Sequence, residues 1–336
     1  MSKPSQPGNV VTFPMGKKAN RSAPPPPPLP PKPSYDEMLE GVDNLPPIDR
    51  NMARLKFYVR MVIEEHAKLL YVTGPPGIGK TETISEALRV YTQEEYARWS
   101  RLPPAAQARD RRAHYNPTTE RFEFHPPWVQ VSGSITNPAM FRQMYRASSD
   151  GSIFFLDDVE AIGNRDNRLL IQQATDPVNL YQVQYNKQVV IHGIPTVGGY
   201  PQFTMHGNLI VNNNQRGDAD SFMKGIASQQ ALFSRAYQLI FPWEQEIVWD
   251  YINRKAFAEL GLLGYMRREP STEIRTNGLG FKGSDSEAVG IIQEVQTFYN
   301  QMGSDLAKYR MHDFRMARRM LQLRLLSPQN WRSQIR

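Results

Sequence analysis

The segment Gly74–Thr81 constrains the fold of this chain more than any other stretch. Its sequence, GPPGIGKT, has a glycine, four further residues and then Gly-Lys-Thr, which is the pattern of a phosphate-binding loop. The apolar run Leu69–Thr73 precedes it and predicts a buried strand, and Thr81–Val90 predicts a helix. A strand, a loop and a helix in this order surround an anionic phosphate with backbone N–H groups and a helix N-terminus.

The residue types within this segment match the binding of ATP and Mg²⁺. Glycines allow close backbone approach and positive φ values. We expect Lys80 to reach the β- and γ-phosphates and the Thr81 hydroxyl to bind Mg²⁺. The predicted nucleotide-binding residues are those of the segment and the acidic residue after it: Gly74, Pro75, Pro76, Gly77, Ile78, Gly79, Lys80, Thr81 and Glu82.

The composition excludes several classes of protein. The chain has 336 residues, 40% of them hydrophobic, which is enough for one large core with an accessory domain. It has no cysteine, so disulfides, zinc–thiolate sites and thiol catalysis are excluded. No apolar run has the length of a transmembrane helix, and the N-terminus lacks the apolar region of a signal peptide. We therefore expect no membrane partner and a cytoplasmic location, in the host cytoplasm if the source is viral.

The formal charge of +7 is unevenly distributed. Residues 1–34 contain five basic residues and no acidic one, and residues 305–336 contain eight basic and two acidic residues. The two ends therefore carry +5 and +6, which leaves −4 for the middle. Basic ends can bind DNA, RNA or an acidic partner, and they can equally be solvated tails.

Two segments differ in composition from a typical core. Residues 1–34 include the run Pro24–Pro28 and predict a disordered, basic tail with polyproline II character. This tail is either a spacer or a docking segment for an aromatic groove of a protein partner. Residues 94–127 predict an insertion with the basic cluster Arg109, Arg111 and Arg112. It is either a partner-binding element or a surface excursion.

Apolar runs alternate with helical patterns in the first two thirds of the chain. Four runs predict strands in addition to Leu69–Thr73, at residues 128–131, 152–156, 209–211 and 236–241. Alternating polar and apolar residues at 178–191 predict a β-hairpin, and helical patterns dominate after Phe241. We therefore predict an α/β fold, a doubly wound parallel sheet followed by a small helical lid domain. The predicted domains are the tail 1–34, an α/β domain 35–242, the lid 243–326 and a C-terminal tail 327–336.

The predicted strand at 152–156 ends in two carboxylates, Asp157 and Asp158. A carboxylate at the C-terminal end of an apolar strand is suited to Mg²⁺ beside a phosphate-binding loop. We expect Asp157 to hold Mg²⁺ through water and Asp158 to orient and polarise the attacking water. Glu160 is an alternative for this second role.

With this strand and the segment Gly74–Thr81, the chain resembles the AAA+ ATPases from about Arg54 to Arg324. The resemblance implies a polar sensor residue at the end of the 209–214 segment, here Asn214, with Asn213 as the alternative. It also implies that Arg235, in the segment 231–235, is an arginine finger that acts on ATP bound to a neighbouring subunit. Arg315 would contact the γ-phosphate from the lid. One departure is that Asp158 stands where the family usually has glutamate.

The same resemblance implies a homo-oligomeric ring, expected to be a hexamer, that hydrolyses Mg-ATP at its subunit interfaces. Three uses of the ATP remain open. The first is remodelling or translocation in DNA replication, helicase loading or packaging, because the predicted hairpin at 178–191 resembles the pre-sensor hairpin of DNA-acting relatives and the basic ends are compatible with DNA. The general arrangement is also similar to small stand-alone bacteriophage ATPases. The second is a MoxR-like chaperone that remodels a protein complex. The third is a non-catalytic, nucleotide-dependent structural subunit.

Overall fold

The structure is a computed structural model, and it describes residues 32–158, 165–191, 193–214, 234–259, 261–269, 278–303 and 313–335. Three predictions lie wholly or partly outside these ranges: the tail up to residue 31, Glu160, and residues 231–233 of the arginine-finger segment. Among the described residues, no helix has the length and apolarity needed to cross a membrane.

The described residues form both helices and strands. The helices are α1 (Tyr35–Leu39), α2 (Pro47–Ile63), α3 (Lys80–Ser100), α4 (Pro104–Gln107), α5 (Asn137–Arg146), α6 (Arg165–Ala174), α7 (Gln245–Ile252), α8 (Gly261–Arg267), α9 (Asp285–Gln301) and α10 (Phe314–Leu326). The strands are β1 (Leu69–Thr73), β2 (Ala113–Asn116), β3 (Arg121–Phe124), β4 (Trp128–Ser132), β5 (Ile153–Asp157), β6 (Gln182–Gln184), β7 (Thr196–Val197), β8 (Tyr200–Thr204), β9 (Asn208–Asn213) and β10 (Tyr237–Ile240). A π-helical segment, Asn253–Ala258, continues α7.

Five of these strands form one parallel sheet in the order β10-β1-β9-β5-β4. They are the five runs that the sequence predicts as core strands, so the predicted α/β fold with a parallel sheet and a helical C-terminal part is confirmed. The order is not the order along the chain, because β9 lies between β1 and β5. The phosphate-binding segment follows β1, and Asp157 ends β5. Strand β9 also ends at this edge. Residues that follow β1, end β5 and end β9 therefore meet at the C-terminal edge of the sheet.

Side chains alternate between the two faces of the sheet, and each face has its own core. Leu70, Phe155 and Ile210 point to one face and pack with α2, α3 and the C-terminal helices. Their neighbours Tyr71 and Val211 point to the other face and pack with α5, α6, β6 and β8. Both faces are covered by helices, which explains why the strands read as continuous apolar runs.

The C-terminal helices share a core with the first face of the sheet. Val248 of α7, Val295 of α9 and Met320 of α10 are fully buried in the same apolar cluster as Leu55 of α2. Trp331, beyond α10, closes this cluster and stacks edge-on against Phe298. Contacts of this kind hold α10 in place, with the Phe314 N–H at its start bonded to the Gly77 carbonyl of the phosphate-binding segment.

The helix after the phosphate-binding segment extends ten residues beyond its predicted end at Val90. Tyr91 and Trp99 continue the buried side of α3 beyond Val90, so the helix gains packing energy up to Ser100. The predicted insertion then forms α4 and the antiparallel hairpin of β2 and β3. Arg112, which belongs to the predicted basic cluster, is fully buried.

This buried arginine fastens the insertion to the sheet. Its guanidinium donates hydrogen bonds to the Glu95 carboxylate (3.1 Å), the Ser152 hydroxyl (2.8 Å) and the Gly151 carbonyl (2.6 Å). Every one of these partners belongs to the core or to α3. Arg112 therefore has a structural role and is not available to bind an external partner.

The prediction of a β-hairpin at 178–191 is wrong for its second strand, residues 189–191. Strand β6 pairs antiparallel with β8 and not with Val189–Ile191. Val183 lies opposite Phe203, and both side chains are buried. The β8 sequence alternates between buried and half-buried residues, whereas Val190 is 91% exposed. Burial on the sheet face, and not proximity in sequence, decides which strand pairs with β6.

Candidate nucleotide-binding site

The backbone of the phosphate-binding segment needs its glycines at two positions. Gly77 has a φ of +74°, and Gly79 has a φ of +102°, values that side-chain-bearing residues rarely adopt. A Cβ added at Gly77 would also lie 2.3 Å from the Cβ of Asp313. The C-terminal part of the chain therefore touches this segment, and only glycine leaves room for the contact.

Lys80 begins α3 and is almost completely buried. Its Nζ donates to the carbonyl oxygens of Gly74 (2.9 Å) and Pro75 (2.6 Å) and to the side-chain oxygen of Asn214 (2.9 Å). Three acceptors match the three protons of an ammonium group. Burial lowers the Lys80 pKa to about 7, while the nearby Asp157 and Asp158 charges oppose this shift. The three hydrogen bonds thus suit the ammonium form while burial favours the neutral amine, and a phosphate that replaced these acceptors would favour the charged form.

Thr81 and Asp157 meet as the phosphate-loop pattern predicts. The Thr81 hydroxyl donates to Oδ1 of Asp157 at 2.7 Å. The other carboxylate oxygen, Oδ2, accepts a hydrogen bond from the side-chain amide of Gln130 at 3.0 Å. Asp157 itself is buried. The carboxylate is therefore fixed in orientation from both sides, by α3 and by β4.

Asn212 is a member of this site that the sequence analysis missed. Its Nδ2 donates to Oδ1 of Asp157 (2.9 Å) and to the Thr81 hydroxyl (3.1 Å). Strand β9 lies between β1 and β5, and this position brings the amide between the loop and the carboxylate. Asn213 points to the opposite face and donates to the Tyr71 hydroxyl (3.3 Å). Asn214, the predicted sensor residue, contacts Lys80.

The oxygen atoms around Asp157 fit Mg²⁺. Oδ1 of Asn212 and Oε1 of Gln130 are buried and have no hydrogen-bond partner among the described residues. Together with the Thr81 hydroxyl and the Asp157 carboxylate, they form a group of hard oxygen donors, the ligand type that Mg²⁺ prefers. Such orphaned oxygens can be satisfied by a metal ion or by its bound water.

Asp158 lies beside this group at the exposed edge of the sheet. Its backbone has a φ of +52°, and its N–H donates to the Asn212 carbonyl at 2.9 Å. Aspartate tolerates this left-handed conformation better than most residues do. The conformation turns the chain out of β5 at the C-terminal edge, so the second carboxylate stays in contact with solvent. Glu160 lies outside the described residues.

The N-terminus of α10 closes one side of the site. Asp313 caps this helix by accepting a hydrogen bond from the Met316 N–H at 2.7 Å, and burial raises the Asp313 pKa. The Phe314 N–H donates to the Gly77 carbonyl at 3.1 Å. Arg315 follows in the first turn and is exposed, and its charge contributes to the lowered Lys80 pKa. The structure therefore brings Arg315 close to the site.

Arg235 is not part of this group. It precedes β10, whose residue Tyr237 lies opposite Leu70 near the start of β1. Five residue steps at about 3.3 Å each separate it from the C-terminal edge, roughly 16 Å. Its guanidinium donates to the Gln172 carbonyl (3.1 Å) and lies 3.3 Å from an oxygen of Asp176. Arg235 cannot reach a nucleotide in its own chain from this position.

No protein-family model and no curated protein matches the chain. Many solved structures share similarity with it, including the following three. NtrX from Brucella abortus in complex with ATP is 13% identical, with a TM-score of 0.32 over 74% of this chain and 49% of that one. C. elegans PCH-2 is 13% identical, with a TM-score of 0.37 over 85% and 67%. Drosophila ORC bound to DNA is 12% identical, with a TM-score of 0.38 over 97% and 70%.

These similarities are distant. All three TM-scores are below 0.5, and the chain spans about half the length of the NtrX structures that it matches. The function must therefore be argued from the residues and contacts of this chain alone.

Proposed function

We propose that this chain is an ATPase of the AAA+ type that binds Mg-ATP at Gly74–Thr81 and hydrolyses it. One observation carries the proposal: Thr81, Asp157 and Asn212 form a hydrogen-bonded cluster beside the buried ammonium of Lys80. These residues come from α3, β5 and β9. A structural turn has no need to assemble a cation, a carboxylate and orphaned amide oxygens at one sheet edge.

Binding of the phosphates uses the backbone and Lys80. The N–H groups of the loop and of the first turn of α3 supply donors to the phosphate oxygens. Lys80 exchanges its carbonyl acceptors for these oxygens and regains a full charge, because a neighbouring anion favours the ammonium form. Arg315 adds a second positive charge from α10. The free-energy cost of burying the charged Lys80 is thus recovered when the anion binds.

The metal would be held at the Asp157 carboxylate. Mg²⁺, when bound, would neutralise the charge that develops on the phosphate oxygens during transfer. Thr81 and Asp157 would hold it. Gln130 and Asn212 keep the carboxylate of Asp157 in one orientation, and their free oxygens can accept hydrogen bonds from water on the metal.

Hydrolysis requires a positioned water and a neutralised γ-phosphate more than it requires covalent chemistry. Asp158 accepts a hydrogen bond from this water and polarises it. Asn214, which bonds Lys80, lies close enough to the loop to contact the γ-phosphate or the water. Arg235 is directed away from its own site, and in this proposal its charge serves the nucleotide of an adjacent subunit. This role implies a homo-oligomeric ring, and we propose a hexamer.

The ATP would drive DNA transactions of the bacteriophage type, such as replication, helicase loading or packaging, with the basic ends contacting DNA. A second candidate, remodelling of a protein complex, is favoured by one observation. The segment between α6 and β8 exposes Val178, Leu180 and Val190, whose exposed fractions are 85%, 76% and 91%. Apolar side chains of this kind suit a polypeptide substrate better than a phosphate backbone.

The experiment that tests the activity compares Lys80→Ala with Lys282→Ala. Lys282 is 83% exposed and, among the described residues, its ion pair is with the exposed Glu269, so its loss should leave turnover unchanged. Lys80→Ala should lose at least about 10²-fold in phosphate release because the charge on the phosphates is unopposed. Equal turnover of both variants would remove the loop from the mechanism.

The same assay separates the possible substrates. Phosphate release is measured with single-stranded DNA, double-stranded DNA and an unfolded protein in turn. Stimulation by DNA alone supports the DNA role, and stimulation by unfolded protein alone supports remodelling. If the chain binds ATP but shows no turnover under any condition, it is a non-catalytic nucleotide-dependent subunit.

A further inference from the structure

Five aromatic side chains form one surface at the far end of α3. We call this surface the aromatic face, and it consists of Tyr96, Trp99, Tyr115, Phe122 and Phe124. Tyr96, Tyr115 and Phe122 are 48%, 49% and 44% exposed. Trp99 and Phe124 form the base, and each is only 9% exposed. The function proposed above makes no use of this surface.

The register of the hairpin explains why these rings are adjacent. Ala113 lies opposite Phe124, and Tyr115 lies opposite Phe122. Opposed pairs two residues apart share a face of a hairpin. The Tyr115 and Phe122 rings are 5.4 Å apart, and Phe124 is 5.4 Å from Tyr96 and 5.9 Å from Trp99. The hairpin thus extends the aromatic surface of α3 outward into solvent.

The described chain begins on the flank of the same helix. The Lys32 ammonium lies 2.7 Å from the Glu94 carboxylate, and the Arg60 guanidinium donates a hydrogen bond to the Pro33 carbonyl. Glu94 precedes Tyr96 by two residues in α3. The proline-rich segment Pro24–Pro31 immediately precedes Lys32 in the sequence, PPPPPLPP.

We propose that the segment Pro24–Pro31 binds the aromatic face of its own chain in the polyproline II conformation. Proline-rich segments bind surfaces lined with aromatic rings because their backbone is already extended and little entropy is lost. Eight residues at about 3.1 Å each span ~25 Å, while an α-helix with its side chains is about 10–12 Å wide. The segment is therefore long enough to cross α3 from Glu94 to Tyr96 and on to the hairpin.

The covalent link between the segment Pro24–Pro31 and the aromatic face favours this segment over any free ligand. A segment linked directly to the binding surface has an effective concentration on the order of millimolar. A free partner displaces the segment only if the ratio of its concentration to its Kd exceeds the same ratio for the linked segment. Lys32 is held by Glu94, and Pro33 is held by Arg60. The chain is therefore fixed directly after Pro31, and only a few bonds separate this fixed point from the proline-rich segment.

A photo-crosslinking experiment on the full chain tests the proposal. The chain has no cysteine, so Ala23→Cys provides a single attachment point for a benzophenone probe. After illumination and digestion, we expect crosslinks concentrated in residues 90–101 and 113–124. The double variant Tyr115→Ser with Phe122→Ser should lower their yield about tenfold, the factor that corresponds to 1.4 kcal/mol. Leu326→Ser, a change at another exposed apolar residue, should leave the yield unchanged.

A second variant tests whether a lower yield arises only because the Tyr115 and Phe122 substitutions unfold the β2–β3 hairpin. Replacing Pro24–Pro28 by a glycine-serine sequence of the same length changes no residue of the aromatic face, and it should also lower the yield about tenfold. Crosslinks spread over the surface, or a yield that neither variant lowers, would overturn the proposal. A mixture of isotopically heavy and light chains identifies the bound copy. Crosslinks within one chain support the proposal, and crosslinks only between chains refute it in favour of a second copy.

Discussion

The side-chain amide of Asn212 lies 2.9 Å from the carboxylate of Asp157, with which its strand is in register. The same nitrogen lies 3.1 Å from the Thr81 hydroxyl. Asn212 thus joins the two groups that would hold Mg²⁺, and its own oxygen has no partner among the described residues. This asparagine, rather than the one at the end of the segment, has the contacts expected of a residue that positions the metal ligands.

Replacing Asn212 by alanine should therefore impair hydrolysis. We expect kcat to fall by about 10²-fold, the usual effect of removing one positioned donor, and the Mg²⁺ concentration for half-maximal rate to rise. Asn213→Ala is the matched control, since its amide bonds Tyr71 on the other face. It should lower the free energy of unfolding by about 1 kcal/mol and leave the Mg²⁺ dependence unchanged. Similar Mg²⁺ titrations for both variants would exclude the positioning role.

Asp158→Asn should bind Mg-ATP and lose hydrolysis. An amide has the same shape as the carboxylate but cannot polarise water as a base, and asparagine also tolerates the φ of +52° at this position. A fluorescent ATP analogue measures binding, and phosphate release measures turnover. Glu160→Gln is the parallel variant. If Asp158→Asn retains turnover while Glu160→Gln loses it, the water-activating role belongs to Glu160.

Arg235→Ala should be inactive alone and should regain part of its activity when mixed with Lys80→Ala subunits. Each variant damages a different half of a shared interface, and a finger arginine is worth about 10³–10⁵ in rate. Asp176→Asn is the control, because it removes the charge partner of Arg235 and keeps the arginine. It should stay active. Loss of activity in Asp176→Asn, with no recovery in the mixture, would indicate that the ion pair only stabilises the fold.

The buried lysine should make nucleotide binding depend on pH. The Lys80 pKa is about 7 in the free chain, so the side chain is mostly neutral at pH 8, and bound phosphates favour the charged form. Binding of ADP at pH 8 should then be accompanied by net proton uptake, and the affinity should fall as the pH rises above 7. Titration calorimetry in buffers of different ionisation enthalpy measures this uptake.

Lys80→Arg is the control for this measurement. Arginine stays protonated throughout the range, so the uptake at this position should disappear. An affinity of the unmodified chain that is constant from pH 6 to pH 9 would show that Lys80 is already charged before the nucleotide binds.

The core strands could be predicted from the sequence because burial on both faces produces continuous apolar runs. The phosphate-binding segment could be predicted because its glycines and Lys-Thr have few other uses in that order. Asp157 follows from its place at the end of such a run. These features depend on residues that are close together in the sequence.

Asn212 was missed for a different reason. Three consecutive asparagines have the same chemistry, and only the alternation along β9 distinguishes them. Ile210 and Asn212 point to the face covered by α3, as do Phe155 and Asp157 of β5. The alternation can be read from the sequence. It identifies Asn212 as the neighbour of Asp157 only when β9 is known to lie beside β5. The partner of β6 was missed similarly, since burial of Phe203 depends on packing against α5.

The length of α3 has a consequence for how the two ends of the molecule communicate. Its 21 residues span about 32 Å, with Lys80 at one end and Trp99 at the other. Arg112 and Glu95 clamp the distal end to the start of β5, whose other end carries Asp157. A displacement of the phosphate-binding segment would therefore move α3 as a rigid body and would reach its distal end near Trp99. If so, a ligand at either end must change the affinity for a ligand at the other by the same factor.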